Sequence, residues 1–194
     1  ISSIMPFPDE DVDKKNMHII FATSKGKIRK NNLEDFSSIN ASGKIAMKLD
    51  SDDKIVGVKI CTDDQDIMLN TKFGKCIRFE SKKLRVFKGR SSKGIRGINL
   101  SEKDTIVSLS IIDKDDIKKS KSKTKDEKSE VKAKEKFILS ITENGYGKRT
   151  SHYDFRVTNR GGKGIIGIVN SPRNGNVSSS CLLYTSDAAD DWSG

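Results

Sequence analysis

The sequence predicts an all-β protein, a propeller-like array of four-stranded antiparallel blades, on three observations. A motif recurs at a fixed period, the segments between recurrences alternate apolar with polar residues, and helical spacing is nearly absent. Four-stranded units repeating at forty to fifty residues suit a ring or arc in which each sheet covers its faces with its neighbours.

The repeat is read from three stretches: HIIFATSKGKIRKNNLEDF from His18, DIMLNTKFGKCIRFESKKL from Asp66 and FILSITENGYGKRTSHYDF from Phe137. Each runs apolar strand, Thr, two residues, Gly, then a basic strand. Thr23 and Thr71 lie 48 residues apart and Thr71 and Thr142 lie 71 apart, the excess being the 23 residues of Lys114–Lys136. A second glycine recurs at Gly43, Gly94 and Gly164, in SGKIAMKL, SKGIRGINL and GKGIIGIV. Ten residues later stand Asp53, Asp104 and Asn174, the first two opening DKIVGVKI and DTIVSLSI. Alternation at Ile55, Val56, Val58 and Ile60, and at Ile106, Val107, Leu109 and Ile111, marks these as β-branched strands.

These signals divide the chain. Residues 1–17 are expected to hold the end of a preceding blade and a connector, 18–63 and 66–113 a blade each, and 137–180 a truncated blade. Lys114–Lys136 carries ten lysines and six acids and is expected to be a disordered loop, since it cannot bury enough apolar surface to offset its ordering entropy. Residues 181–194 are acidic, lack a strand period and resemble the translation of a sequencing-library adapter. They are expected to be a non-native or read-through tail.

The 194 residues hold 37 Lys+Arg against 27 Asp+Glu, a formal charge of +10, which favours a polyanionic partner. No apolar run approaches the roughly 18 residues of a membrane span, so a soluble protein is expected. Cys61, Cys76 and Cys181 match neither a disulfide framework nor a zinc site, which fits a reducing cytoplasm; a cytoplasmic, chromosome-associated location is expected.

Charge follows the same period. Lys72–Arg96 contains ten bases and one acid, whereas Asp50–Asp66 contains six acids and two lysines. The column four residues after the first glycine is basic each time, at Lys30, Arg78 and Arg149. If repeats pack side by side, the basic halves merge into a stripe for the sugar-phosphate backbone of duplex DNA. Its expected members are Lys27, Arg29, Lys30, Lys75, Arg78, Arg85, Lys88, Arg90, Lys93, Arg96, Lys148, Arg149, Arg160 and Lys163. Phe79 and Phe87 are the main aromatics in the basic strands, too few for a platform that stacks single-stranded bases. A merely solvated face is the competing reading.

The glycines in Gly89–Gly94 and Arg160–Gly164 either admit phosphates to backbone amides or make tight turns. Gly162, Gly164 and Gly167 spell GxGxxG outside any strand-to-helix context, so no dinucleotide site is expected. His18 and His152 have neither a nucleophile partner nor metal-ligand spacing, and Ser151, His152 and Asp154 are sequence neighbours rather than a triad. No catalytic or metal residue is expected, and Tyr146 and Tyr153 read as rim or packing residues.

FATSKGKIRKNNLEDF, DIMLNTKFGKCIRF, SKGIRGINL and ITENGYGKRT together resemble the C-terminal domain of bacterial DNA gyrase A, from Ile1 to about Ser180. The resemblance implies a β-pinwheel whose basic rim wraps duplex DNA, in support of ATP-dependent negative supercoiling. It implies no cofactor in this fragment, ATP and Mg2+ acting elsewhere in the parent enzyme, whose catalytic tyrosine also lies outside it. It further implies gyrase B and a second copy of gyrase A as partners in an A2B2 heterotetramer. Asn159–Gly164 echoes the family's QRRGGKG box with its leading Gln-Arg replaced. The equivalent C-terminal domain of topoisomerase IV and a protein-binding propeller are the alternatives.

Overall fold

Runs such as HIIFAT, DIMLNT and TIVSLSII bury their side chains on both faces, so strand formation is driven by apolar residues enclosed between layers. The computed structural model describes residues 4–8, 14–38, 43, 45–89, 91–114 and 135–183. Eleven strands result among them: β1 (His18–Thr23), β2 (Lys27–Asn32), β3 (Ile55–Cys61), β4 (Gln65–Thr71), β5 (Lys75–Glu80), β6 (Ile95–Arg96), β7 (Ile106–Asp113), β8 (Phe137–Thr142), β9 (Gly147–Ser151), β10 (Ile165–Ile166) and β11 (Val177–Leu183). The only helical elements among the described residues are short 3-10 turns at Leu33–Phe36, Ser81–Lys83 and His152–Asp154. The all-β expectation holds.

The Thr-x-x-Gly motif is the hairpin turn. Gly26, Gly74 and Gly145 donate their N–H to the carbonyls of Thr23, Thr71 and Thr142, each at 3.0 Å. The Thr23 and Thr71 hydroxyls accept from the backbone N–H of Lys27 and Lys75 at 3.2 Å. Asp53 and Asp104 pin the first two tips, accepting from the backbone N–H of Lys25 (3.0 Å) and Phe73 (2.9 Å).

Two sheets have four strands and one has three, in the orders β3-β1-β2-β6, β10-β5-β4-β7 and β11-β8-β9. The outer strand of each four-stranded sheet comes from the next repeat. β6 pairs Arg96 with Lys27 and Ile95 with Ile28, and β10 pairs Ile165 with Cys76 and Ile166 with Lys75. The sequence repeat and the sheet are therefore offset. The second glycine makes this crossing possible: a Cβ on Gly94 would lie 2.5 Å from the Ile28 carbonyl oxygen, and one on Gly164 2.5 Å from that of Cys76. Both have positive φ, at 77° and 72°, where an L side chain is strained.

Alternation along the strands builds the layers. Ile20, Ala22 and Ile28 of the first sheet meet Ile67, Leu69, Ile77 and Phe79 of the second. On the second sheet's other face, Met68, Cys76 and Ile112 meet Ile138 and Phe155 of the third. Ile19, Phe21, Leu33, Phe36 and Met47 cover the far face of the first. β7 packs against both β3 and β11, so these strands form the inner edge and β6 and β10 the outer one.

Three expected segments differ in the structure. Gly43 and Ile45–Leu49 form no strand, although Gly43 shares the positive φ of Gly94 and Gly164; no sheet precedes β1 among the described residues for them to join. Ile4–Pro8 form no strand either, and Met5 packs beside the Phe21 cluster. The stretch set aside as a tail begins inside β11, where Cys181, Leu182 and Leu183 pair with Leu139, Ile138 and Phe137. Backbone pairing does not require the period-two pattern that this stretch lacks. Of the lysine-rich segment, residues 115–134 lie outside the described residues; Lys114 pairs with Glu80 at 3.1 Å and Lys136 with Asp113. No described helix is long and apolar enough to cross a membrane.

Candidate nucleic-acid interface

The register column that predicted a surface stripe is a buried one in the first two sheets. Lys30 is 1% exposed and Arg78 2%. Each lies beneath the chain arriving from the next repeat, pairing in parallel with Val86 and Val157 respectively. Lys30 Nζ binds the Asp63 carboxylate and donates to the Ser81 carbonyl at 3.2 Å. Arg78 Nε donates to Asp66 Oδ2 at 3.0 Å, and its Nη1 donates to the His152 carbonyl at 2.7 Å. Ser81 and His152 each open a 3-10 turn, so the column locks one sheet to the next unit. Arg29 is also buried, donating to Asn31 Oδ1 (2.8 Å) and the Ser92 carbonyl (2.6 Å), and burial lowers its pKa. Arg29, Lys30 and Arg78 are buried structural cations, enclosed within the fold rather than lying on a surface stripe for DNA. Arg149, third in the column, is exposed with its guanidinium 4.4 Å from the centre of the Phe137 ring.

Most of the remaining cations face solvent: Arg85, Lys88, Lys93, Arg96, Lys148, Arg149, Arg160 and Lys163 are exposed or nearly so, and Lys27 and Lys75 half-buried. Arg90 lies outside the described residues. The outer edge brings several together from different repeats. Arg160 Nη1 donates to the Arg96 carbonyl at 3.2 Å, and Gly161 N–H to the Gly97 carbonyl at 2.6 Å. Next to Arg160, Asn159 Oδ1 accepts from Lys83 Nζ at 3.4 Å, which carries the basic surface on to Lys83 and, through Glu80, to Lys82 and Lys114. Arg85 lies over Phe87, 4.3 Å from its ring centre, and Lys148 Nζ donates to the Gly167 carbonyl at 3.1 Å.

Lys82, Lys83 and Arg156 belong to this exposed set without being among its expected members. Arg156 has a signal in the sequence, since it occupies in the third repeat the place Arg85 holds in the second. Lys82 and Lys83 lie in a 3-10 turn whose exposure depends on the fold.

One rim carboxylate counters two of the expected lysines. Asp50 binds Lys27 through Oδ2 and Lys93 through Oδ1. Hydrogen bonds from Lys27, then Lys93, hold its pKa down to about 2. The glycine loops serve strand crossing, with Gly97 N–H donating to the Gly26 carbonyl at 2.8 Å and Gly167 N–H to that of Gly74 at 2.9 Å.

Both histidines are buried and engaged with their own chain. His18 Nε2 lies 3.5 Å from Asp63, and its pKa is lowered by burial and then by the Lys30 charge. His152 Nδ1 lies 2.9 Å from the Lys136 carbonyl. Burial pushes the Cys76 thiol up to about 12. Tyr146 is exposed with its hydroxyl 3.1 Å from Arg173 Nε, and the Tyr153 ring lies against His152 at a 38° tilt, 3.9 Å between ring centres. No group of three or more His, Cys, Asp or Glu among the described residues is placed to hold a metal ion.

The sequence profile of the family described as DNA gyrase C-terminal domain, beta-propeller, matches residues 18–62, 65–113 and 136–178. The chain belongs to this family. Its three matched segments follow the three repeats, while the crossing strands β6 and β10 tie them together. Among curated relatives, the DNA gyrase A protein of Rickettsia conorii is 40% identical, the alignment covering 86% of this chain and 21% of that protein. The DNA gyrase A protein of Granulibacter bethesdensis is 36% identical over 90% of this chain and 23% of its own length. The chain thus spans about a fifth of these relatives. Two solved structures share the fold: a DNA gyrase A C-terminal domain (TM-score 0.69, 23% identity, 88% of this chain and 50% of that one) and a DNA topoisomerase IV C-terminal domain (0.72, 22%, 93% and 49%). Membership of the gyrase family and the β-propeller class are the outcomes the resemblance implied.

Proposed function

We propose that this chain is part of the DNA-wrapping domain of a gyrase A protein, holding duplex DNA against its outer edge while the parent enzyme introduces negative supercoils with ATP. The observation that carries the reading is the junction of Arg96 and Arg160, cations from successive repeats held together by a hydrogen bond to backbone on exposed surface. Lys83, through Asn159, and the exposed Lys163 extend it. Contacts of this type address phosphates, so the duplex is bound without regard to sequence and with strong dependence on salt. A curved edge favours DNA that bends along it, against an elastic cost of order 1–6 kcal/mol. Catalysis, the ATP and Mg2+ chemistry, gyrase B and the second copy of gyrase A belong to the rest of an A2B2 enzyme in the bacterial cytoplasm. Relatives named gyrase A favour that parent over topoisomerase IV, whose likeness is one of fold.

The test is retention of a duplex of about thirty base pairs across a salt series. The wild-type chain is expected to lose affinity linearly on a log–log plot, and the variant Arg96→Glu/Arg160→Glu/Lys163→Glu to flatten that slope by about 0.9 for each lost phosphate contact. Binding by the triple variant with unchanged affinity and slope would overturn the reading.

A further inference from the structure

The two sheet junctions carry the same pair of lysines but different counter-charges. At the first, Lys27 of β2 and Lys93, just before β6, are bridged by the two oxygens of Asp50. At the second, the corresponding residues are Lys75 of β5 and Lys163, just before β10, and the place of Asp50 is taken by Ser101. Register fixes the correspondence: Gly43, Gly94 and Gly164 share positive φ, and Asp50 and Ser101 each lie seven residues beyond their glycine.

We propose that Asp50 is a built-in stand-in for a DNA phosphate, which occupies Lys27 and Lys93 of the first junction in the free protein and leaves the Lys75–Lys163 pair of the second open to the duplex. The proposal rests on the DNA-binding reading above. A carboxylate bridging two ammonium groups presents the geometry a phosphate oxygen pair would present, and all three side chains keep contact with solvent at 29–46% exposure. A duplex reaching this junction must displace Asp50 or lie beside a charge of its own sign, whereas Lys75 and Lys163 meet it without a carboxylate at that place. Asp50 thus leaves the Lys27–Lys93 pair with one net positive charge where the Lys75–Lys163 pair has two, and Arg96, paired with Lys27, is the cation of the first junction that Asp50 does not bind.

The test exchanges the two residues in the full chain, using the same duplex and salt series. Asp50→Ser is expected to tighten binding about two- to fivefold at ~0.1 M salt, the range of an exposed ion pair, and to steepen the salt slope by about 1. Ser101→Asp is expected to weaken binding and flatten the slope by a similar amount. Equal affinity and slope in both variants and the wild type would overturn the proposal while leaving the DNA reading intact. A wild-type chain without salt-dependent retention would sink the DNA reading itself. Should Asp50→Ser fail to fold, Ser101→Asp decides alone, since its site in the wild type holds no such bridge.

Discussion

The first and second sheets share one backbone plan and solve its polar problems differently. Under the crossing chain, the first places Lys30 against Asp63, whose side chain is 57% exposed, while the second places Arg78 against Asp66, which is fully enclosed. Beside that cation the first sheet has Arg29 near the Phe87 ring, and the second has Ile77 with Thr158 at the corresponding place. What the two sheets share is geometric: the hairpin glycine, the crossing glycine and a cation reaching a carbonyl of the next unit. The fold therefore demands a donor at this position and leaves the acceptor free, and a basic column in sequence reports assembly between repeats as readily as it reports a ligand.

The largest expected effect separates the two buried cations. Arg78→Ala should cost about 3–5 kcal/mol by leaving Asp66 enclosed without its partner. Lys30→Ala should cost less, about 1–3 kcal/mol, because Asp63 returns to water. Urea denaturation measures both, and equal losses would break the comparison. The crossing glycines come next. Gly164→Ala should cost at least about 2 kcal/mol through positive φ and the approach to the Cys76 carbonyl. Gly89→Ala, with no heavy atom within 4 Å of the added carbon, should stay within about 0.5 kcal/mol. Similar melting curves for the two would refute the steric account.

The smallest effect sharpens the contrast through pH. The folded-state pKa of His18 lies below its ordinary 6.5, first through burial and then through Lys30, against the opposing pull of Asp63. The unfolded chain therefore binds more protons below pH 6.5, and stability should fall as the pH drops through that value. A melting temperature followed from pH 7.5 to 5.5 should decline by a few degrees, less steeply in His18→Asn. An identical decline in the variant would assign the effect elsewhere.

The repeat, the strands and the hairpin tips are legible in the sequence because each is written in local spacing: Thr23 to Gly26 specifies its own turn. The basic rim is legible only as a composition. Exposure of Arg96 and enclosure of Lys30 are set by segments sixty or so residues away, and no local pattern in KIRK distinguishes a cation under a crossing chain from one beside it. Asp50 reads in sequence as part of the acidic half, although its contacts are with the basic one. The strand at Cys181–Leu183 escapes a sequence reading because apolar alternation is a sign of a half-buried strand, and pairing with β8 requires only backbone.

Because β6 closes a sheet that β1 opens, the first layer cannot be finished until residue 96 has left the ribosome, nor the second until residue 166. At ~5–20 residues per second, each layer waits several seconds during synthesis with one margin bare. A nascent chain of this kind is vulnerable in proportion to how slowly it is translated, and a pause placed between the two strands of such a pair would lengthen that exposure.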